Sequence, residues 1–139
     1  MLFRSSGKPI ILGPWLSEAG FELMYWIPFL AWAKRFGRLD AQRLIAVSRG
    51  GAAPWYAGVT DQYEEAFRFY TPDEFRAGNE RRIVEKQGVQ KHLELSPFDR
   101  EIIEKVATQR GITDYEVLHP SVMYRLFQLF WRQIGRAHV

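Results

Sequence analysis

Two short apolar segments that end in glycine constrain the fold of this chain more than any other feature. The first is PIILGP, residues 9–14, and the second is RLIAVSRGG, residues 43–51. Strands that are apolar on both faces are typical of parallel sheets covered by helices on both sides. The residues between them are numerous enough for the helical crossover that parallel strands need. The sequence therefore predicts parallel strands at about Pro9–Gly13 and Leu44–Ser48.

The residues between these strands predict one helix, from Ser17 to Phe36. Ser17 suits the N-cap position, and Gly37 follows at a point where helices commonly end in glycine. Pro28 lies inside the stretch, where it removes a backbone hydrogen bond. We therefore expect the helix to be kinked or split at Pro28.

Capping and turn signals divide the rest of the chain into further elements. Thr71 and Glu74 have the spacing of a capping box, and Ser96 followed by Pro97 is typical of a helix start. The pattern predicts short helices in residues 60–70 and 71–88, a helix from Ser96 to Gly111, a third strand in YEVLHP (residues 115–120) and a last helix from Pro120 to about Gln133.

This order of elements favours an α/β fold. We predict a single Rossmann-like domain over residues 1–139, with a mainly parallel sheet, flanking helices and a small helical insertion. A chain of 139 residues fits one domain, and its 47% hydrophobic content supports a buried core.

The composition excludes several chemistries. The chain has no cysteine, which rules out disulfides, zinc-thiolate sites and thiol catalysis. Its three histidines lack paired metal spacing, so we predict no metal. The most apolar run, residues 23–33, is shorter than the roughly 20 residues that span a bilayer, and the first residues lack a signal-peptide pattern. We expect a cytoplasmic protein, with contact at the membrane periphery left open.

Nucleotide and nucleic-acid binding find little support in the sequence. No G-x-G-x-x-G follows either strand, and SSGKP (residues 5–9) has proline where a phosphate-binding loop needs Ser or Thr. The basic and aromatic residues are scattered and form no stacking platform, which disfavours nucleic acid as a partner. We expect no cofactor site in this chain.

Two glutamates stand out in GPWLSEAGFELMYW, residues 13–26. Glu18 and Glu22 lie one helical turn apart beside the carboxyl end of the first strand, where open parallel sheets bind ligands. Glu18 can stabilise the helix start or act in a site. Glu22 lies among aromatic residues, so we expect it to be partly buried and paired with Arg49. Whether that pair is structural or functional stays open.

A second candidate segment follows the second strand, in SRGGAAPWY. It comprises Ser48, Arg49, the glycine pair Gly50 and Gly51, and two aromatic residues that we expect to be exposed, Trp55 and Tyr56. Aromatic residues in such a loop suit sugar or base stacking, and they equally suit packing onto the sheet. His119 closes the third strand at the same edge, where a capping or packing role is more common than a catalytic one.

Three phrases carry a resemblance to a known class: ILGPWLSEAGFELMYWIPFLAW, VSRGG followed by WY, and HPSVMYRLFQLFW. In these phrases the sequence resembles the N-terminal half of bacterial two-domain, GT-B-like glycosyltransferase-like proteins. In that class two Rossmann-like domains face one another across a cleft, and the N-terminal domain holds the acceptor and contributes the general base. The resemblance implies that Glu18 or Glu22 is catalytic and that the loop around Trp15 and the segment 48–51 bind a sugar or glycan acceptor in cell-envelope or polysaccharide synthesis. Trp55 and Tyr56 are candidates to stack on that acceptor.

The resemblance also implies what this chain lacks. A nucleotide-sugar donor would bind a C-terminal domain, so we expect the chain to be incomplete for catalysis alone. The alternative is a non-catalytic interaction domain whose last helix docks on a partner or on an anionic membrane through Arg125, Arg132 and Arg136. That helix is apolar around most of its circumference, so we expect a second domain or another copy of the chain to cover it.

Overall fold

The computed structural model describes residues 7–85 and 94–137, with side chains for residues 7–83 and 94–129. Four strands form one sheet in the order β3-β2-β1-β4, and every pairing is parallel. The strands are β1 (Ile10–Leu12), β2 (Leu44–Ser48), β3 (Tyr63–Glu65) and β4 (Glu116–Leu118). The predicted α/β class with a parallel sheet is confirmed.

Five helices accompany the sheet in the described residues. They are α1 (Ala19–Phe21), α2 (Ile27–Gly37), α3 (Pro72–Glu85), α4 (Pro97–Arg110) and α5 (Pro120–Ala137). A π-helical turn, Glu22–Trp26, joins α1 to α2 without a break. Short 3₁₀ turns occupy Ala41–Arg43, Ala53–Tyr56 and Ala66–Arg68.

The core is divided in two by the sheet. On one face, Ile10, Leu12 and Leu44 pack with residues of α2 and α5, including Leu30 and Met123. On the other face the alternate strand residues pack with α3 and α4; examples are Ile11, Ile45, Val47, Phe75 and Ile102. Strand residues alternate between faces, so burial on both sides explains the continuous apolar runs of β1 and β2. The fold is a three-layer α/β/α arrangement.

The helix predicted in residues 60–70 is wrong. Most of that segment forms the edge strand β3 and a 3₁₀ turn. Its central residue Glu64 is only 5% exposed and accepts a hydrogen bond from Arg110 Nε at 2.8 Å. The two residues are 46 positions apart, so this contact, which favours the strand, has no local signal.

The helix is not split at Pro28; a π turn, Glu22–Trp26, precedes Pro28 and continues directly into α2. Proline has no N–H, and a π turn changes the local hydrogen-bond register one turn upstream. Two predicted boundaries are corrected. The helix begins after Glu18, not Ser17, and its left-handed C-cap is Arg38, one residue beyond Gly37.

The predicted caps of α3 and α4 are confirmed. Thr71 N–H donates to Glu74 Oε1 at 2.8 Å, and Glu74 N–H donates to Thr71 Oγ1 at 3.2 Å. Ser96 forms a capping box with Asp99 at the start of α4. Residues 86–88 of the predicted helix lie outside the described residues, and α5 continues past Gln133 to Ala137.

Gly78 provides a test of how α3 packs on α4. A Cβ added at Gly78 would lie 2.4 Å from Cε1 of Phe98, whereas one added at the exposed helical Gly20 would meet nothing within 4 Å. Alanine gains about 1 kcal/mol over glycine in a helix, and overpacking costs about 1–3 kcal/mol. We expect Gly78→Ala to lower the free energy of unfolding by about 1 kcal/mol, and Gly20→Ala to raise it by about 0.5–1 kcal/mol. Urea denaturation of both variants measures this, and equal effects would contradict it.

Candidate functional site

The candidate site lies at the carboxyl edge of the sheet, outside β1, β2 and β4. The strand order changes direction at β1, which has β2 on one side and β4 on the other. Ligands of open α/β sheets bind in the crevice at such a point. The loop from Gly13 to Glu18, Arg49 and His119 each follow a strand at this edge.

The loop after β1 is fixed between the neighbouring strands. Gly13 N–H donates to the carbonyl of Leu118 at 2.9 Å, and Trp15 N–H donates to the carbonyl of Val47 at 3.1 Å. The Trp15 ring is fully buried, stacks on Trp26 at 5.9 Å between centroids, and donates from Nε1 to the Glu18 carbonyl. The structure thus corrects the role predicted for Trp15. It anchors the loop from inside and presents no surface to a substrate.

Glu22 is the centre of a buried polar cluster, which we call the Glu22 cluster (Glu22, Ser48, Arg49 and Tyr56). The carboxylate is fully buried. Its Oε2 accepts from Ser48 Oγ and from Tyr56 Oη, both at 2.5 Å, and its Oε1 accepts from Arg49 at 3.2 Å. The predicted pairing of Glu22 with Arg49 is confirmed. Each carboxylate oxygen has a donor, which is what a buried carboxylate requires.

Tyr56 is buried, so the exposure expected for it is wrong. Burial and the neighbouring Glu22 carboxylate raise the pKa of Tyr56 far above its ordinary value. The phenol therefore keeps its proton and acts as a hydrogen-bond donor to Glu22. Trp55, the other aromatic residue of this loop, is 42% exposed.

Arg49 connects the two candidate segments. One of its terminal nitrogens donates to Glu22, and the other donates to the carbonyl of Ser17. Its side chain retains 18% exposure. A planar guanidinium that is held on two sides and still reaches solvent can bind an anionic or hydroxyl-bearing ligand.

The amides of the glycine pair have an internal partner. The amides of Gly50 and Gly51 donate to the two carboxylate oxygens of Glu65, at 3.0 and 2.7 Å. Glu65 Oε1 also accepts from Tyr63 Oη at 2.9 Å. These amides therefore bind a carboxylate of the chain itself, while both glycines remain exposed.

Asp99 and His119 form a second buried cluster at the same edge. The Nε2 atom of His119 lies 3.2 Å from Asp99 Oδ2, and Ser121 N–H donates to His119 Nδ1 at 3.1 Å. Because Nδ1 accepts a hydrogen bond, we assign the ring hydrogen to Nε2. Asp99 Oδ2 also accepts from the amide and hydroxyl of Ser96. His119 thus caps α5, which agrees with the more common of its two predicted roles.

Electrostatic coupling extends from these clusters to Glu18. Burial raises the pKa of Tyr124, and the negative charge of Glu18 raises it further. Burial lowers the pKa of Arg82, while Asp99 raises it and Arg49 lowers it. The charge of Glu18 thus acts on Tyr124, and the charges of Asp99 and Arg49 act on Arg82.

The sequence analysis did not identify Arg82, Asp99 or Tyr124. A signal for Arg82 was present, because residues 75, 78 and 82 follow the helical spacing of one face, and all three are buried. Asp99 is the third residue of α4 and belongs to the capping box of Ser96. Because this local role explains an acidic residue there, nothing in the sequence indicated that Asp99 lies near His119.

Glu18 is exposed, in contrast to Glu22. It is the N-cap of α1, yet its side chain makes no capping hydrogen bond. Among the side chains that the structure describes, residues 7–83 and 94–129, none donates a hydrogen bond to its carboxylate or forms an ion pair with it. Of the two predicted catalytic carboxylates, only Glu18 is open to solvent.

Comparison with known proteins does not assign the chain to a family. No family model, curated protein or solved structure gives a significant match to the chain. In the described part of the chain, no cluster of three or more His, Cys, Asp or Glu residues could hold a metal ion. None of the described helices is both long enough and apolar enough to pass through a bilayer.

Proposed function

We propose that this chain is a glycosyltransferase-like acceptor-side domain that binds a sugar or glycan acceptor in cytoplasmic steps of cell-envelope or polysaccharide synthesis. One observation carries the proposal. Glu18, an exposed carboxylate without a donor among the described side chains, lies at the carboxyl edge of a parallel sheet, next to the carbonyl that holds Arg49. Such an edge is where open α/β sheets bind their ligands.

In this proposal the two glutamates have different roles. Glu18 accepts the proton of an acceptor hydroxyl, because a general base must reach its substrate. Glu22 is a positioning residue, since its oxygens already accept from Ser48, Tyr56 and Arg49. It holds Arg49 at the edge, where the guanidinium orients the acceptor or binds an anionic group.

Donor chemistry is assigned to another domain. Gly50 and Gly51 are the only adjacent glycines, and their amides bind Glu65. We therefore expect the chain alone to bind acceptor glycans and to leave nucleotide sugars intact.

The proposal is tested by titrating the purified chain with cell-envelope oligosaccharides and following saturation-transfer NMR. We expect binding of at least one glycan, weakened about tenfold by Glu18→Gln, since a hydrogen bond to a charged group contributes about 1.5–3 kcal/mol. The matched control is Glu104→Gln, an exposed carboxylate on α4, which should leave binding unchanged. Absence of glycan binding, or equal effects of the two variants, would contradict the proposal.

A further inference from the structure

The outer side of the helical layer formed by α2 and α5 is strongly apolar. We call it the apolar face and define it by Met24, Tyr25, Trp32, Phe36, Leu126 and Leu129. Their exposed fractions run from 41% for Tyr25 to 67% for Met24. Large apolar side chains that are exposed together mark an interaction surface.

A groove runs along part of the apolar face. Met24, Tyr25, Trp32 and Leu126 line a groove of about 480 Å³ between the helices. Trp32 stacks on Phe36 with 5.1 Å between ring centroids. Because the rings support one another, they keep their outward orientation before any partner is bound.

The charged residues of α2 and α5 are all basic. The sequence contains no acidic residue from Leu23 to Leu39 and none after Glu116. The same stretches contain Lys34, Arg35, Arg38 and Arg125, of which the three arginines are exposed. Two helices without a carboxylate, bordered by cations, are complementary to a negatively charged partner.

We propose that the apolar face docks on an anionic lipid bilayer surface. Trp, Phe, Leu and Met side chains would insert at the level of the headgroups, while the flanking basic side chains contact lipid phosphates, as in interfacial amphipathic helices. A second copy of the chain is a poorer occupant, because a two-fold interface would bring the same cations against one another. The inference does not depend on the proposed glycan binding, since the face lies on the outside of the helical layer.

The proposed membrane-binding surface is not the one expected from the sequence. The sequence analysis assigned it to the last helix alone. The structure adds Met24, Tyr25, Trp32 and Phe36, which come from the π turn and α2. The surface therefore combines two helices that are far apart in the chain.

Vesicle flotation tests the proposal on the intact chain. We expect binding to vesicles of phosphatidylcholine mixed with phosphatidylglycerol, weak binding to phosphatidylcholine alone, and loss of binding in high salt. The double variants Trp32→Ser/Phe36→Ser and Arg35→Glu/Arg125→Glu should each lower the partition coefficient about tenfold or more. All four side chains are more than a third exposed, so the variants should fold, which circular dichroism checks.

The control variants make the same kinds of substitution at exposed positions away from α2 and α5. Phe67→Ser and Arg100→Glu change exposed residues outside the apolar face and should leave vesicle binding unchanged. Binding that is indifferent to phosphatidylglycerol and to both double variants would overturn the proposal. So would a stable dimer that fails to bind vesicles and dissociates on Trp32→Ser/Phe36→Ser. Glycan titration of the same variants separates this result from a failure of the proposed function.

Discussion

Replacing Arg49 with leucine should lower the free energy of unfolding by about 3 kcal/mol, near the lower end of the 3–5 kcal/mol typical of breaking a buried ion pair. The cost arises at Glu22, whose carboxylate is fully buried and would lose the one cation that pairs with it among the described residues. Ser48 and Tyr56 would still donate to Oε2, which keeps the loss from reaching the upper end. Urea denaturation followed by tryptophan fluorescence measures the change.

A double-mutant cycle separates the ion pair from packing. Leucine at both Glu22 and Arg49 removes the charge that Arg49→Leu leaves unpaired, so the double variant should lose less than the sum of the single variants. The double variant should still be less stable than the unsubstituted chain, because the hydroxyls of Ser48 and Tyr56 would then lack their acceptor. As a control, Arg100→Leu, which changes an exposed residue of α4, should alter stability by less than about 0.5 kcal/mol. Additivity of the two cluster variants would show that the pair contributes nothing as a unit.

Much of the fold could be predicted because its signals are local. The apolar runs of β1 and β2, the capping box at Thr71 and the Ser96–Pro97 helix start lie within a few residues each, and all are observed. The strand β3 was missed because its stability depends on a distant partner, Arg110, and on its place at the edge beside β2. Periodicity within a polar segment contains no information about such contacts.

The candidate site could likewise be predicted only in part. The pairing of Glu22 with Arg49 could be predicted, since Arg49 directly follows β2, Glu22 lies in the helix that follows β1, and a buried carboxylate needs a cation. The burial of Tyr56 and the use of the Gly50 and Gly51 amides could not, because both depend on where the loop folds back. A loop that is rich in aromatic and glycine residues has the composition of a binding site whether its groups face a ligand or the chain itself.

Gly13→Ala should lower the free energy of unfolding by about 3 kcal/mol, from backbone strain of about 1–3 kcal/mol together with overpacking of about 1–3 kcal/mol. Gly13 has φ of 120°, and an added Cβ would lie 2.7 Å from the carbonyl oxygen of Val47 and 3.1 Å from the amide nitrogen of Trp15. These two atoms form the hydrogen bond that fixes the loop after β1 to β2. The new methyl group therefore meets backbone, which cannot rotate away as a side chain can.

The matched control for this substitution is Gly50→Ala. Gly50 has φ of 76° with nothing within 4 Å of its added Cβ, so it should show the left-handed penalty alone, about 1–2 kcal/mol. Gly13→Ala should also be non-additive with Arg49→Leu, because a displaced loop moves the Ser17 carbonyl to which Arg49 donates. Chemical denaturation of the three variants and of the double variant measures both effects. If Gly13→Ala costs no more than Gly50→Ala, the close approach of Gly13 to β2 does not hold the loop, and Arg49 is positioned by Glu22 alone.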